Sequence, residues 1–196
     1  MVNFDYGANV PKLESVITKI SESMKSSFNP NSHHSLGKNA QYRIAKIQNE
    51  LAEMFDYDDF IFVPGGGTNA NRMVILNSVP MIPAYIESGV RKDVVVISGM
   101  EHKSINIICA NALNDRGYNV HIVKTTKEGI INMEHMQKII ENFGKRIALI
   151  SIMSANNETG MINPIVDVKN LINKHELNTV FHSDTVQYVG FTKTDE

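Results

Sequence analysis

Four short stretches of this chain carry side chains able to do chemistry. In Gly65-Gly66-Gly67-Thr68-Asn69, three glycines let the backbone approach a ligand closely, and Thr68 adds a hydroxyl donor. A helix starting at about Thr68 would turn its free N–H groups and its dipole toward that loop, an anion site that suits a phosphate. A flexible turn with Thr68 as N-cap is the competing reading. No Gly-Lys-Ser/Thr follows, and the spacing is not GxGxxG, so neither common nucleotide loop is present. In Ser98-Gly99-Met100-Glu101-His102-Lys103-Ser104, His102 places an imidazole after an apolar run; alone it reads as a surface or capping residue. Asn156-Asn157-Glu158-Thr159-Gly160 is ordinary turn chemistry when taken by itself. Asp184, in Ser183-Asp184-Thr185-Val186-Gln187, also follows an apolar run, where a carboxylate is costly unless paired. It implies a cationic partner or a turn in which the backbone bonds the carboxylate.

These stretches need elements to hold them. Pro11 marks a helix start, and Leu13, Val16, Ile17, Ile20, Met24 and Phe28 recur at helical spacing until Asn29-Pro30-Asn31-Ser32 breaks the pattern. A second amphipathic helix carries Ile44, Ile47, Leu51 and Met54. Apolar runs predict strands at 60–63, 94–97, 120–123, 147–153 and 179–182, with 94–97 the strongest because it is β-branched and uninterrupted. Helices are predicted from about Thr68 through Met73, Val74 and Leu76, and near 104–116, 133–142 and 166–175. Pro80 and Pro83 make the segment between a loop or a short helix. Short buried strands alternating with helices predict an α/β fold with a mostly parallel sheet flanked by helices. Ligands in such sheets bind beyond the carboxyl ends of the strands, which is where all four stretches fall.

Composition narrows the classes. The chain has 196 residues, 42% apolar and 20% charged, with 19 Lys+Arg against 21 Asp+Glu and a net charge of −2. That balance excludes a basic nucleic-acid binder and an acidic solvating tail. A single cysteine, Cys109, excludes an intramolecular disulfide framework and a multi-cysteine zinc site, and suggests a reducing compartment, hence a cytoplasmic protein. Cys109 sits on the apolar face of Ile105-Asn106-Ile107-Ile108-Cys109-Ala110 and reads as core, not nucleophile. No secretory leader is expected at the N-terminus, and no apolar run is long enough to cross a bilayer. Trp is absent, which excludes a Trp-lined site.

A phosphate loop, an imidazole beside a flat ring and a carboxylate holding a protonated ring nitrogen, all at successive strand ends, describe a pyridoxal phosphate pocket. At this point the sequence resembles the class V aminotransferase family, and within it the cysteine desulfurases, from about Asn3 to Asp195. Ala8-Asn9-Val10-Pro11 is similar to the family's Ala-Thr-Thr-Pro opening. Asn29-Pro30-Asn31-Ser32-His33-His34-Ser35-Leu36-Gly37 resembles its Asn-Pro-Ser-Ser-x-His-x-x-Gly loop. Gly66-Gly67-Thr68-Asn69-Ala70-Asn71 stands where the family has Gly-Ala-Thr-Glu-Ser-Asn. Glu101-His102, Asn156-Asn157-Glu158-Thr159-Gly160 and His182-Ser183-Asp184-Thr185-Val186-Gln187 match its Glu-His, Asn-Asn-Glu-x-Gly and His-x-Asp-x-x-Gln motifs.

The resemblance implies roles. Gly67 and Thr68 would bind the cofactor phosphate, and His102 would stack on the pyridine ring. Asp184 would pair with the ring nitrogen, Gln187 would hydrogen-bond the phenolic oxygen, and Asn157 would lie near that oxygen and the substrate carboxylate. No metal site is implied. The sequence departs from the family at Gly67, Asn69 and Ala70, which replace Ala, Glu and Ser. It also ends before the Ser-Gly-His segment that precedes the family's Schiff-base lysine, and Lys193 is not a substitute for that lysine.

The implied fold is the fold type I large domain of pyridoxal-phosphate-dependent transferases, incomplete at the C-terminus. Residues 1–14 would form an N-terminal arm and 15–196 part of the large cofactor-binding domain, without the small C-terminal domain. The implied activity is removal of sulfur from L-cysteine to give alanine and a persulfide. The implied assembly is a homodimer or a pairing with a full-length homologue, with no nucleic acid and no membrane. The alternative is a catalytically inactive relative that serves as a cofactor-binding or structural subunit. An unrelated α/β nucleotide binder leaves the Asp184 and Gln187 pair unexplained.

Overall fold

The structure, a computed structural model, describes residue 7, residues 10–26 and residues 28–190. Ala8, Asn9 and Lys193, singled out above, lie outside the described residues. The chain forms two compact units, Met1–Phe62 and Val63–Glu196.

The first unit holds α1 (Glu14–Met24) and α2 (Ser35–Phe55). The His34 ring caps α2 by accepting from the Gly37 N–H at 3.2 Å. Any side chain at Gly37 would run into the Ser32 carbonyl oxygen, so the Asn29–Gly37 turn requires a glycine there. Asp56, in the left-handed region at φ 53°, ends α2. The strand expected at 60–63 does not form. The Phe60 carbonyl is taken by the Gln48 amide at 2.8 Å, and the Phe60 and Phe62 rings pack edge-on at 5.4 Å. Ile61 stays 71% exposed, and Pro64 follows with no N–H to give a ladder. The run has strand-like residues but no strand partner among the described residues.

The second unit opens with α3 (Gly66–Ser78) and a small antiparallel pair, β1 (Ala84–Tyr85) and β2 (Arg91–Lys92). That hairpin lies just past Pro83, where a loop or short helix was expected; the prolines set its start, and Gly89 turns it at φ 76°. The main sheet follows: β3 (Val94–Ser98), β4 (Asn119–Val123), β5 (Ile147–Ser151) and β6 (Val180–His182). It is entirely parallel, in the order β4-β3-β5-β6. The crossovers are α4 (Lys103–Ile108), continued by a π-helical turn at Cys109–Leu113, then α5 (Met133–Phe143) and α6 (Ile165–Lys174). These strands and helices lie where the apolar runs placed them.

Strand alternation divides the core. Val94 and Val96 face Met136, Ile139 and Ile140 of α5 and Val168 and Ile172 of α6. Val95 and Ile97 face Ile75 of α3, Ile105 of α4, and Cys109 and Leu113 of the π turn. Alternation slips in β5: Val94 pairs with Ile147 but Val95 with Leu149, so one extra residue is accommodated and Ala148 and Leu149 turn to the same side. At the amino end of the sheet, Arg146 donates from Nε and Nη2 to the two oxygens of Asp93 at 2.9 and 2.8 Å. The guanidinium holds the Asp93 carboxyl below the usual carboxylate range. That clamp leaves the carboxyl end of the sheet for other work.

Candidate functional site

The loops after β3 and β6 meet at the first turns of α3. Gly65 is the N-cap of α3, at φ 95°, and Gly66 also has positive φ, at 72°. The helix therefore begins two residues before Thr68, which is an exposed residue inside the first turn and not the cap. The first N–H groups of α3 have no intrahelical partner, and the Asn69 amide ties the turn by donating to the Pro64 carbonyl. The glycine at 67 has a local reason. A Cβ there would sit 3.1 Å from Val186 Cγ2, so Gly67 lets the Asp184 turn close against the loop.

Asp184 is buried just beyond β6, at 8% exposure. Its Oδ1 accepts from the Val186 N–H at 3.1 Å, the turn bond that the sequence allowed. Its Oδ2 accepts from Asn71 Nδ2 at 2.7 Å. Among the described residues no cationic side chain pairs with it. The expected cation is thus not a residue described here. Its described donors are all neutral, and a buried carboxylate so placed fits a cationic group of a ligand.

His102 is exposed and caps α4. Its Nδ1 lies 2.8 Å from Ser104 Oγ and accepts from the Ser104 N–H at 3.2 Å. Ser104 Oγ in turn accepts from Asn71 Nδ2 at 3.2 Å. Asn71 therefore joins the β3 loop to the β6 loop. Neither Asn71 nor Ser104 was given a role from sequence, although both lie within the quoted motifs. Asn71 lies one turn before the buried Ile75, on the inner side of α3, but nothing in the sequence singles it out.

Glu101, beside His102, is buried and ties β3 to β5. Its Oε1 accepts from Ser98 Oγ at 2.6 Å and from the Met153 N–H at 2.8 Å. Its Oε2 is buried without a partner among the described residues. Burial, opposed by these hydrogen bonds and reinforced by the charge of Asp184, pushes the carboxyl up to about 7.

The remaining expectations divide. Asn157 is exposed at the tip of its loop. Its neighbour Asn156 is buried and anchors that loop, donating to the Met100 carbonyl at 3.1 Å and accepting from the Glu158 and Thr159 N–H groups. Gln187 is half-buried in the turn after Asp184 and has contacts of its own. Cys109 is buried in the core, and burial pushes its thiol up to about 12, so it is no nucleophile. No cluster of metal-ligating side chains occurs among the described residues. No helix there is long and apolar enough to cross a membrane.

The parallel sheet flanked by helices is that of the fold type I large domain of pyridoxal-phosphate-dependent transferases, and the glycine turn and buried carboxylate lie at its carboxyl end. The chain belongs to the class V aminotransferase family, whose pattern matches residues 2–195. It resembles the cysteine desulfurases within that family. It is 30% identical to the cysteine desulfurase of Sinorhizobium fredii over 164 residues, 83% of this chain and 39% of the relative. It is 30% identical to cysteine desulfurase IscS of Dictyoglomus turgidum over 192 residues, 96% of this chain and 45% of the relative. Among solved structures, the NifS-like protein of Rickettsia africae superposes with a TM-score of 0.73 at 24% identity, covering 94% of this chain and 48% of that one. A second NifS-like protein superposes at 0.77 and 24% identity, covering 92% and 48%. The chain thus spans about half the length of the relatives it matches.

Proposed function

We propose that this chain supplies the pyridoxal-phosphate-binding half of a cysteine desulfurase-type enzyme acting on L-cysteine, with alanine and a persulfide as products. The observation that carries this reading is Asp184: a buried carboxylate at the end of β6 whose described donors are all neutral. It suits the protonated nitrogen of a pyridine ring. The α3 turn at Gly67 and Thr68 suits the phosphate. The exposed His102 ring is available to stack, with Gln187 and Asn157 as the polar groups toward the phenolic oxygen and the substrate carboxylate. When bound, the cofactor supplies an electron sink for negative charge at the α-carbon of an amino acid.

The chain's own groups bind and orient. Asp184 keeps a proton on the ring nitrogen by its charge. The first N–H groups of α3 hold an anion by their dipoles. Asn156 fixes the loop that carries Asn157. Cys109, buried in the core, does not accept sulfur. In the same reading residues 1–14 are an arm, 15–196 belong to the large domain, and the working unit is a cytoplasmic dimer.

Calorimetry tests the binding. Pyridoxal phosphate titrated into the purified chain should give a saturable heat, and excess inorganic phosphate should weaken it by competing for the α3 turn. No binding heat at any concentration would remove the cofactor reading.

A further inference from the structure

We propose that Asn71 is a positioning residue through which Asp184 directs the Ser104 hydroxyl onto Nδ1 of the His102 ring, reinforcing the tautomer with its proton on Nε2. The inference rests on the cofactor reading only for its use, since the network itself consists of side chains already in contact. A carboxamide nitrogen carries two hydrogens, and Asn71 Nδ2 spends one on Asp184 Oδ2 at 2.7 Å and the other on Ser104 Oγ at 3.2 Å. The reverse amide orientation would press Oδ1 against the carboxylate, so the charge of Asp184 fixes which way the amide points. Ser104 Oγ then accepts from Asn71, and its own hydrogen is left for His102 Nδ1 at 2.8 Å. The Ser104 backbone N–H points at the same nitrogen, at 3.2 Å. Two donors converge on Nδ1, so Nδ1 bears the lone pair and the ring proton sits on Nε2.

For the hydroxyl donor the order of cause runs Asp184, Asn71, Ser104, His102, while the Ser104 N–H holds the same nitrogen independently of it. Asp184 and His102 are the two side chains that the cofactor reading places against the same aromatic ring, one at its nitrogen and one on its face. Asn71 couples them without adding a charge, which a lysine or arginine at that position would do. It is buried, as is Ser104, so the relay is shielded from exchange with water.

The test is histidine-selective ¹⁵N labelling of the cofactor-free chain and long-range ¹H–¹⁵N correlation well above the imidazole titration range. His102 is identified by the signal lost in His102→Gln. Wild type should show His102 with its proton on Nε2; a proton on Nδ1 would overturn the proposal with no variant needed. Asn71→Ala should shift the His102 Nδ1 resonance, because the hydroxyl donor is released while the backbone N–H stays, and the other histidines should keep their signals. Asp184→Asn should do the same, because a neutral amide no longer dictates the direction of Asn71. A folded Asn71→Ala with an unchanged His102 signal would also overturn it. Pyridoxal phosphate affinity, read by absorbance, should fall about tenfold or more in Asn71→Ala, the loss expected for a hydrogen bond to a charged group. If wild type binds no cofactor but the Nδ1 resonance responds, the relay stands and the cofactor reading fails. If wild type binds cofactor and the Nδ1 resonance ignores Asn71, the relay fails alone.

Discussion

Glu101 is the carboxyl that burial most favours in its protonated form. Its carboxyl rises from 4.5 in the open chain to about 7 in the fold, so the folded state holds more protons between those values. Stability from this group is therefore fully present below about 4.5 and is lost as pH rises toward 7. The difference is on the order of 3 kcal/mol. Asp93, held low by Arg146, acts in the opposite sense and loses its contribution only in acid. Comparing urea melts of wild type and Glu101→Gln across this range isolates the first effect. The variant should have the flatter profile, and superimposable profiles would contradict it.

Gly67 gives a second residue-scale expectation. In Gly67→Ala the new methyl meets Val186 Cγ2 at 3.1 Å, and the exposed Val186 side chain can give way. We expect a loss of stability below about 1 kcal/mol, read by thermal melting, and recovery in Gly67→Ala/Val186→Ala. At this scale the sequence was informative about Asp184, because a carboxylate after an apolar strand demands an explanation. It was silent about Asn71, because a buried carboxamide in a helix looks like any surface asparagine until its partners, 33 and 113 residues away, are known.

Among the elements, the parallel strands were legible because β3 and β5 are buried along their whole length and so are continuous apolar runs. Residues 60–63 have the same composition but form no ladder, and a sequence window does not report whether a partner strand is present. The β1–β2 hairpin was missed because its two-residue strands are too short to show alternation. The slip in β5 was also hidden, since Ile-Ala-Leu-Ile reads as apolar in any register. The Asp93–Arg146 clamp joins the start of β3 to the start of β5. Arg146→Ala leaves a nearly buried carboxylate unpaired and should cost about 2 kcal/mol in chemical denaturation, less than for a fully buried pair because the arginine is half exposed. An Asp93→Asn/Arg146→Ala double variant should recover part of that loss; no recovery would show that the arginine acts by packing alone.

For the whole molecule, the first helix is the informative part. Periodicity showed which residues of α1 share a face, but not what covers it. Leu13, Val16, Ile17, Ile20 and Met24 are all exposed, and α1 buries no residue. An 11-residue helix with no burial is marginal on its own. The chain should therefore associate with itself when purified alone, through this apolar stripe and the open sheet edges. Sedimentation velocity should show a weight-average mass that rises with concentration, and Ile17→Glu/Ile20→Glu should reduce the rise. A monodisperse monomer that melts cooperatively would contradict this. Short apolar runs alternating with helical stretches pointed to an α/β fold; the order of motifs along the chain gave the family, and the hydrogen bonds across the strand ends gave the site its logic.

Everything proposed for the site turns on Asp184 anchoring the ring nitrogen of pyridoxal phosphate. The most direct test is a visible-absorbance titration of wild type and Asp184→Asn with pyridoxal phosphate, with circular dichroism to confirm that both are folded. Wild type should bind saturably with a shifted absorption band, and Asp184→Asn should lose at least about tenfold in affinity along with the shift. Equal affinity and identical spectra for the two folded proteins would contradict the claim.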